Sequence, residues 1–307
     1  MTYVIGHKNP DSDSICSAIA YAAFKTALTG ETHTPARAGD VNPESQFVLD
    51  RFGFAAPELL ENASGKDLIL VDHNEVAQAV DGLEDATIKE ILDHHKIGDV
   101  QTPNPIYFRN MPVGCTGTIV YLHYKENGIK LEKGIAGLLC SAILSDTLAF
   151  RSPTCTDLDT EAAEALAKIA GIADIQAYAK EMFKAGSELA GKSPKEIFYM
   201  DFKKFTAGDT TFGVGQVTSM DADELKELAA TMKKYLAETF DEHGADMLFF
   251  LLTDILDSSS ELIYAGKGAD EVVKAAFTSA ETGRTYLKGV VSRKKQIVPQ
   301  ITEAITK

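Results

Sequence analysis

Short apolar runs alternate with helical patterns in the N-terminal part of the chain, and this alternation restricts the fold to a few α/β arrangements. Residues 2–6 (TYVIG) and 67–74 (DLILVDHN) have the composition of strands. The stretch 14–28 has that of a helix, which Asp13 or Ser14 could cap. Parallel strands require long crossover connections, usually helices. The sequence therefore predicts an α/β domain with a mostly parallel sheet flanked by helices.

A second, smaller α/β unit is predicted in the C-terminal part. Ser193, Pro194 and Glu196 fit the N-cap, the first helical position and the capping-box partner of a new helix. The patterns beyond it predict a hairpin over 205–217, an amphipathic helix over 221–240, strands over 245–256 and 261–268, and a strand from 287 that runs into a basic tip. We therefore expect an N-terminal domain over 1–187, a linker over 188–193 and a C-terminal domain over 194–307.

The composition excludes several classes of protein. The 307 residues carry a formal net charge of −15 without a prominent basic stretch, which argues against nonspecific nucleic-acid binding. The longest apolar run, 247–252, is too short to span a bilayer, and the N-terminus lacks the pattern of a signal peptide. The 4 cysteines are scattered without a CxxC spacing, which indicates buried reduced thiols in a cytoplasmic protein.

Side chains that bind divalent cations follow or end four separate apolar segments. They are His7, Asp11 and Asp13 after the first strand, Asp72 after the second, His94 and His95 in the DHH triplet 93–95, and Asp146 in the SDT triplet 145–147. The carboxyl ends of parallel strands converge on one crevice, where distant residues can meet. Carboxylates and imidazoles without thiolates suit Mn²⁺, Mg²⁺, Co²⁺ or a catalytic Zn²⁺. These ligands are too many for one ion with open positions and suit two ions about 3.5–4 Å apart.

Each segment also has a purely structural interpretation. The Asn-Pro-Asp-Ser-Asp run could form only a turn and a helix cap, and Asp72 could cap the segment that follows it. His94 and His95 could be a packed pair, although adjacent side chains point in different directions and should have different roles. A calcium loop fails because Ile15 occupies a ligand position. Asp146 in an apolar stretch needs a partner or a cation, and the four segments together favour a metal site.

The charges of such a site indicate what a phosphate substrate would need. Two divalent cations and four aspartates nearly neutralise one another, so a pyrophosphate-like anion requires further cationic donors. The best candidates are SRKKQ at 292–296 and DFKKF at 201–205, although both could be solvated basic faces. Arg293 and Lys294 come just after a predicted strand, where a phosphate clamp would project. Their place in the second unit predicts a site between the two domains.

The motifs GHKNPDSDS, DHN, DHH, SDT and SRKKQ, in this order along nearly the whole chain, resemble the family II inorganic pyrophosphatases. These form the manganese-dependent branch of the DHH phosphoesterase superfamily. The resemblance implies a metal-binding, catalytic DHH domain, followed by a substrate-binding domain of the DHHA2 type. No CBS regulatory insert is visible, and the length fits the compact form of the family.

The resemblance also implies roles for individual residues. These are His7 and Asp11 for one metal ion, Asp13, His94 and Asp146 for the second, Asp72 as the bridge between them, and His95, Lys203, Arg293 and Lys294 for the substrate phosphates. Lys203 is preferred over Lys204 because it matches the Asp-x-Lys pattern of the family. His95 would supply a proton or a hydrogen bond to phosphate.

The activity implied by the resemblance is hydrolysis of inorganic pyrophosphate to two orthophosphates by a hydroxide that bridges two Mn²⁺ ions. Co²⁺ or Mg²⁺ could replace Mn²⁺, and an additional Mg²⁺ would accompany the substrate. The resemblance further implies a homodimer formed through the N-terminal domain, and the composition indicates a cytoplasmic protein without nucleic-acid or membrane partners. The alternatives are a short-chain exopolyphosphatase, a nanoRNase, whose GGGH-type motif is missing here, and a metal-binding adaptor, which we would expect to have lost ligands.

Overall fold

The computed structural model describes residues 1–187, 189, 191–277 and 282–306. The chain divides into two compact units, Met1–Gly186 and Ser187–Lys307. Residues 188 and 190 of the predicted linker 188–193 lie outside the described residues.

The first unit is built around a six-stranded parallel sheet. Its strands are β1 (Thr2–Ile5), β2 (His33–Arg37), β3 (Glu58–Leu59), β4 (Asp67–Val71), β5 (Thr87–Asp93) and β6 (Tyr107–Asn110). They lie in the order β3-β2-β1-β4-β5-β6, and every neighbouring pair is parallel. The central strands bury apolar residues such as Ile5, Leu70 and Leu92, as expected for strands covered on both faces. The predicted fold class is confirmed.

Helices connect and flank these strands. They are α1 (Ser12–Thr29), α2 (Pro43–Phe52), α3 (Thr116–Glu126), α4 (Lys133–Asp146), α5 (Asp157–Ala170) and α6 (Ile175–Ala185). The prediction that Asp13 or Ser14 caps α1 was wrong, because the helix begins earlier than its apolar pattern. Asp11 is the N-cap, and its Oδ1 accepts a hydrogen bond from the Ser14 backbone N–H at 3.0 Å.

The parallel order of the sheet brings three of the predicted ligand segments to one edge. His7 follows β1 by two residues, and Asp72 and His94 directly follow β4 and β5. Because β1, β4 and β5 are adjacent and parallel, all three residues leave the sheet at its carboxyl edge.

The second unit contains a five-stranded mixed sheet. Its strands are β7 (Phe202–Ala207), β8 (Thr210–Ser219), β9 (Met247–Asp254), β10 (Ser259–Gly266) and β11 (Arg284–Lys288), and its helices are α7 (Pro194–Tyr199), α8 (Ala222–Thr239), α9 (Ala269–Ala276) and α10 (Val298–Thr306). The order is β11-β10-β9-β8-β7, in which only β8 and β9 pair in parallel. The structure confirms the predicted hairpin, the amphipathic helix and the capping box of Ser193 and Glu196.

The two faces of this second sheet belong to different cores. Val214 and Phe249 pack with Ile297 on one face, whereas Leu248 and Phe250 pack with the core of α7 and α8 on the other. This division follows from the alternation of side chains along a strand. Among the described residues of the whole chain, no helix combines the length and the apolar character that crossing a membrane requires.

The prediction of a strand that runs from residue 287 into a basic tip was wrong beyond Lys288. β11 ends at Lys288, and Gly289 has a φ of 75°, a left-handed conformation that turns the chain away from the sheet. Arg293 then begins a π-helical turn, Arg293–Ile297, that continues into α10. Because Ile297 is fully buried, packing favours this helical turn over an extended tip.

Gly137→Ala should destabilise the protein, although alanine is normally favoured over glycine inside a helix by about 0.5–1 kcal/mol. Gly137 lies in α4, and an added Cβ would overlap the ring of Phe52, which packs on Tyr178. We expect the free energy of unfolding to fall by about 1–3 kcal/mol, as for other overpacked cores. Urea unfolding measures this change, and adding Phe52→Leu should recover part of the loss. A Gly137→Ala protein as stable as wild type would contradict the close packing.

Candidate metal centre

The loop after β1 holds His7 close to the start of α1. Gly6 allows this close approach, because an added Cβ would come within 2.6 Å of the Ser14 side chain. The His7 backbone N–H donates to the Ser14 hydroxyl at 3.3 Å. The Nε2 atom of His7 lies 3.5 Å from Oδ2 of Asp11, whose other oxygen caps the helix. Asp11 thus serves as a helix cap and still presents one oxygen to His7.

Asp72 is the central residue of the cluster. Its side chain is only 1% exposed, and its φ of 64° places a non-glycine residue in the left-handed region, which costs about 1–2 kcal/mol. Its backbone N–H donates to the carbonyl of Leu92 at 2.9 Å, which helps to hold this conformation. The hydroxyl of Ser14 donates to Oδ2 at 2.8 Å, and that of Thr116 to Oδ1 at 3.4 Å. These contacts restrict the carboxylate to one orientation.

The two oxygens of Asp72 face different histidines. Oδ2 lies 3.4 Å from Nε2 of His7, and Oδ1 lies 3.4 Å from Nε2 of His94. On the second side, Nε2 of His94 also lies 3.7 Å from Oδ2 of Asp146. Ligand-type atoms within 4.8 Å of one another form three groups: His7, Asp11 and Asp72; Asp13, Asp72, His94 and Asp146; and Asp72, His94 and His95. The structure therefore brings every residue predicted to bind metal to one place.

Asp13 is fully buried and is bound by the N-terminus of α3. Its Oδ2 accepts from the Thr116 backbone N–H at 2.6 Å, and its Oδ1 accepts from the Gly117 N–H at 2.9 Å and the Ser17 hydroxyl at 2.7 Å. The positive end of the helix dipole favours a negative charge at this point. This contribution could not be predicted from the sequence, because backbone groups of distant residues leave no side-chain signal.

Burial and mutual repulsion both disfavour the ionised forms of Asp13 and Asp146. Burial, followed by the charge of Asp72, raises the pKa of Asp13 to about 7. Burial, followed by the charges of Asp13 and Asp11, raises the pKa of Asp146 well above its usual value. Both shifts show that the cluster disfavours further negative charge. Divalent cations would remove this repulsion, so the donor set fits a metal centre.

The two histidines carry the compensating positive charge in this cluster. Burial disfavours their charged forms, but hydrogen bonds to the adjacent carboxylates raise the pKa of His7 to about 10 and that of His94 to about 9. Burial acts against ionisation of Asp72 as well, yet the two histidines hold its pKa well below its usual range. Nδ1 of His94 lies 3.0 Å from the carbonyl of Val113, which leaves Nε2 directed at the carboxylates. A metal ion would displace the protons from these Nε2 atoms.

His95 lies beside the cluster with different contacts. Its Nδ1 lies 2.9 Å from Oδ1 of Asp93, a hydrogen bond that raises the pKa of His95. The side chain is 52% exposed, compared with 13% for His94. The two neighbouring histidines therefore differ in both hydrogen bonding and access to solvent.

Asp93 has a supporting role that the DHH triplet did not reveal. Its Oδ1 accepts from the backbone N–H groups of His94 at 2.8 Å and His95 at 3.1 Å. Asn74 donates to the other oxygen of Asp93 and, at 3.0 Å, to the carbonyl of Lys96. Asn74 thereby connects the loop after β4 to the loop after β5. This role of the asparagine in the DHN motif was not predicted from the sequence.

The lysines and the arginine predicted to bind phosphate lie in the second unit and differ in exposure. Exposed side chains are those of Lys203, Lys204 and Lys294. Arg293 is largely buried: its Nη2 lies 2.8 Å from Oδ1 of Asp201, and its Nη1 donates to the carbonyls of Asp201 and Val214. The expectation that Arg293 projects freely from a strand tip was therefore wrong, because this guanidinium is held against the start of β7 and the middle of β8.

Two glutamines hold the backbone around Arg293. The amide oxygen of Gln216 accepts from the Arg293 N–H at 3.1 Å, and its amide nitrogen donates to the carbonyl of Val291 at 2.9 Å. The amide oxygen of Gln296 accepts from the N–H groups of Val291 and Ser292, both at 3.0 Å. Gln296 belongs to the SRKKQ motif, whereas nothing in the sequence near Gln216 indicates its role.

Comparison with known proteins identifies both units. Residues 1–143 match the DHH family, N-terminal domain, and residues 180–304 match the DHHA2 domain. A protein of Oceanobacillus iheyensis is 48% identical over 305 residues, covering 98% of either chain. A protein of Clostridium acetobutylicum is 49% identical over 304 residues, covering 99% of this chain and 97% of its own. Each is named "Probable manganese-dependent inorganic pyrophosphatase".

Solved structures also resemble this chain over its full length. A Methanococcus jannaschii protein described as a "putative family II inorganic pyrophosphatase" is 43% identical, with a TM-score of 0.63 and 100% of both chains covered. An exopolyphosphatase-related protein from Bacteroides fragilis is 12% identical, with a TM-score of 0.53, covering 99% of this chain and 92% of its own. The second likeness concerns the fold alone.

Mn²⁺ should stabilise the protein, because it would relieve the repulsion among the buried aspartates. At a free concentration about 100 times its dissociation constant, the free energy of unfolding should rise by about 2.7 kcal/mol for each ion bound. Differential scanning calorimetry with Mn²⁺ and with EDTA measures this rise. Asp72→Asn should remove most of it, whereas Asp50→Asn, at an exposed position of α2, should retain it. Equal melting temperatures in Mn²⁺ and EDTA would show that the cluster binds no metal.

Proposed function

The chain belongs to the family of manganese-dependent inorganic pyrophosphatases, and on this basis we propose that it hydrolyses inorganic pyrophosphate to two orthophosphates. It is a hydrolase with a DHH domain and a DHHA2 domain. The observation that carries the proposal is the arrangement around Asp72, where three groups of ligand-type atoms share one carboxylate. Such a shared carboxylate suits a pair of catalytic metal ions about 3.5–4 Å apart.

We assign the proposed ligands to two ions by the oxygen of Asp72 that they face. His7, Asp11 and Asp72 would hold the first ion, and Asp13, His94, Asp146 and Asp72 would hold the second, since Oδ2 of Asp72 faces His7 and Oδ1 faces His94. Support comes from the opposite placement of the two histidines, which gives each ion one imidazole. Imidazole and carboxylate donors together suit Mn²⁺ better than Mg²⁺, which prefers oxygen ligands alone.

Two bound Mn²⁺ ions would supply Lewis-acid activation of water and partial neutralisation of the phosphates, with an additional Mg²⁺ accompanying the substrate. The protein's own groups provide orientation. Asp72 is held by Ser14, and Asp13 by the start of α3, so these carboxylates need little rearrangement during the reaction. His95 is half exposed and oriented by Asp93, which supports its proposed role as donor of a proton or hydrogen bond to phosphate.

The proposed phosphate ligands of the second unit are Lys203, Arg293 and Lys294. Lys203 pairs with Val214, and Lys204 with Gly213, so the two lysines point to opposite faces of the sheet. Val214 faces the core that contains Ile297, the last residue of the turn that Arg293 begins. This geometry supports Lys203 as the lysine on the side of Arg293. Lys204 instead donates to the carbonyl of Gly244 at 3.4 Å.

We also propose that the protein is a homodimer in the cytoplasm. All the cysteines are free thiols, which agrees with a reducing compartment: Cys16, Cys115, Cys140 and Cys155. β6 is an edge strand of the first sheet and exposes the rings of Tyr107 and Phe108. A dimer contact through the N-terminal domain would cover such an edge.

The purified enzyme should release orthophosphate from pyrophosphate only when a divalent cation is present. After chelation, Mn²⁺ should restore the activity at a lower concentration than Mg²⁺, because two imidazoles favour the softer ion. Phosphate release measures both effects, with tripolyphosphate and the dinucleotide pNpN assayed in parallel. Faster hydrolysis of tripolyphosphate would indicate an exopolyphosphatase, and faster cleavage of pNpN a nanoRNase, and either would contradict the proposal.

Asp72→Ala and Lys294→Ala should separate metal binding from substrate binding. Asp72→Ala should abolish paired Mn²⁺ binding. It should also lower turnover by more than about 100-fold, which is the largest loss typical of residues that only support a metal ligand. Lys294→Ala should leave Mn²⁺ binding intact and lower kcat/KM by about 30-fold, the loss of about 2 kcal/mol expected for a charged hydrogen bond.

Metal titration and steady-state kinetics on both variants measure these effects. Lys295→Ala is the matched control for Lys294, since it removes a neighbouring exposed lysine from the same turn. Arg293→Ala should also weaken substrate binding, and should lower stability because Asp201 loses its partner. Wild-type turnover in Asp72→Ala would exclude its role as the bridge.

A further inference from the structure

Glu44 connects two of the ligand-bearing segments without being a predicted ligand itself. It lies in the first turn of α2, and its Oε1 accepts hydrogen bonds from two serine hydroxyls. The hydroxyl of Ser12 donates at 2.7 Å, and that of Ser145 donates at 2.6 Å. One carboxylate oxygen thus bridges residues that are far apart in the chain.

The positions of the two serines explain why this bridge concerns the metal centre. Ser12 lies between Asp11 and Asp13, the proposed ligands of different ions, in the first turn of α1. Ser145 directly precedes Asp146 in the last turn of α4. A displacement of either helix end would therefore move at least one of these carboxylates.

The surroundings of Glu44 fit a fixed structural tie better than a solvated surface carboxylate. The Ser12 side chain is fully buried and also lies 3.2 Å from the hydroxyl of Ser45. Gly186 packs against Glu44, because an added Cβ there would come within 2.9 Å of the Glu44 Cβ. Burial raises the pKa of Glu44, so the carboxylate has lost much of its hydration and depends on the two serines.

We propose that Glu44 is a positioning residue that, through Ser12 and Ser145, holds Asp11, Asp13 and Asp146 at the separation that two ions require. This inference rests on the proposed two-ion site. Removing the tie should weaken metal binding without removing a ligand. Loss of a residue that supports metal ligands typically lowers metal affinity 10–100-fold, so an effect in the range of roughly 10–100-fold is expected.

The test compares Glu44→Ala with Glu44→Gln. Glutamine removes the charge but keeps an oxygen that can accept both hydroxyl hydrogen bonds. The Mn²⁺ affinity of Glu44→Gln should therefore fall by no more than about threefold, a much smaller loss than that expected for Glu44→Ala. Glu44→Ala should weaken Mn²⁺ binding about 10–100-fold, measured by calorimetric titration. The electron paramagnetic resonance signal of coupled Mn²⁺ ions should be lost at metal concentrations that saturate the wild type.

Asp50→Ala is the matched control, because Asp50 is an exposed carboxylate of the same helix that bonds Gln46 at 2.8 Å. It should leave both measurements unchanged. At saturating Mn²⁺, the KM of Glu44→Ala for pyrophosphate should equal that of wild type, since the phosphate ligands are untouched. If Glu44→Ala does not fold, Ser12→Ala and Ser145→Ala each remove one half of the tie and should each weaken Mn²⁺ binding.

Wild-type Mn²⁺ affinity and an intact coupled signal in Glu44→Ala would overturn the inference while leaving the proposed function in place. Equal losses in Glu44→Ala and Glu44→Gln would also overturn it, because they would assign the effect to charge and not to position. Failure of the wild-type chain itself to bind Mn²⁺ would instead refute the proposed function.

Discussion

The burial of Asp72 is the constraint on which the rest of the site depends. Its carboxylate is almost inaccessible to solvent, and its two oxygens face His7 and His94 at equal distances of 3.4 Å. A buried charge of this kind is stable only with compensating charge and fixed hydrogen bonds. The strand order meets this condition, because neighbouring parallel strands end at the same edge and bring their loops around one carboxylate. The left-handed backbone of Asp72 is a local strain that these surrounding contacts maintain.

Several of the proposed metal ligands are also held by groups that are not ligands themselves. The start of α3 binds Asp13, the carbonyl of Val113 orients His94, and the helix cap fixes Asp11. Glu44 extends the same arrangement to the last turn of α4. Ligands oriented in this way reach binding geometry with little rearrangement, which is what makes a metal site both tight and catalytically effective.

The conformation of the basic SRKKQ motif depends on contacts with distant residues, and for this reason it was predicted only in part. Its identity was recognisable, but an extended tip was expected where the chain forms a helical turn. The burial of Ile297 and the hydrogen bond from the Arg293 N–H to Gln216 favour that turn. Neither can be read from the residues of the motif alone. The pairing of Arg293 with Asp201 likewise depends on how β7 packs beside the turn. Residue type alone could not distinguish this anchored arginine from the exposed Lys294 beside it.

The sequence by itself determined the α/β class, the order of the elements and the side-chain types of the metal cluster. These properties are written locally, in the spacing of apolar residues and in the few residue types that follow the ends of the strands. Only the tertiary structure decided that α3 binds Asp13 across more than a hundred residues and that Glu44 joins Ser12 to Ser145. A hydrogen bond between distant segments requires only some donor and some acceptor at about 3 Å. Many residues satisfy that chemical requirement, so the packing of the helices, not the sequence pattern, selects which of them form a hydrogen bond.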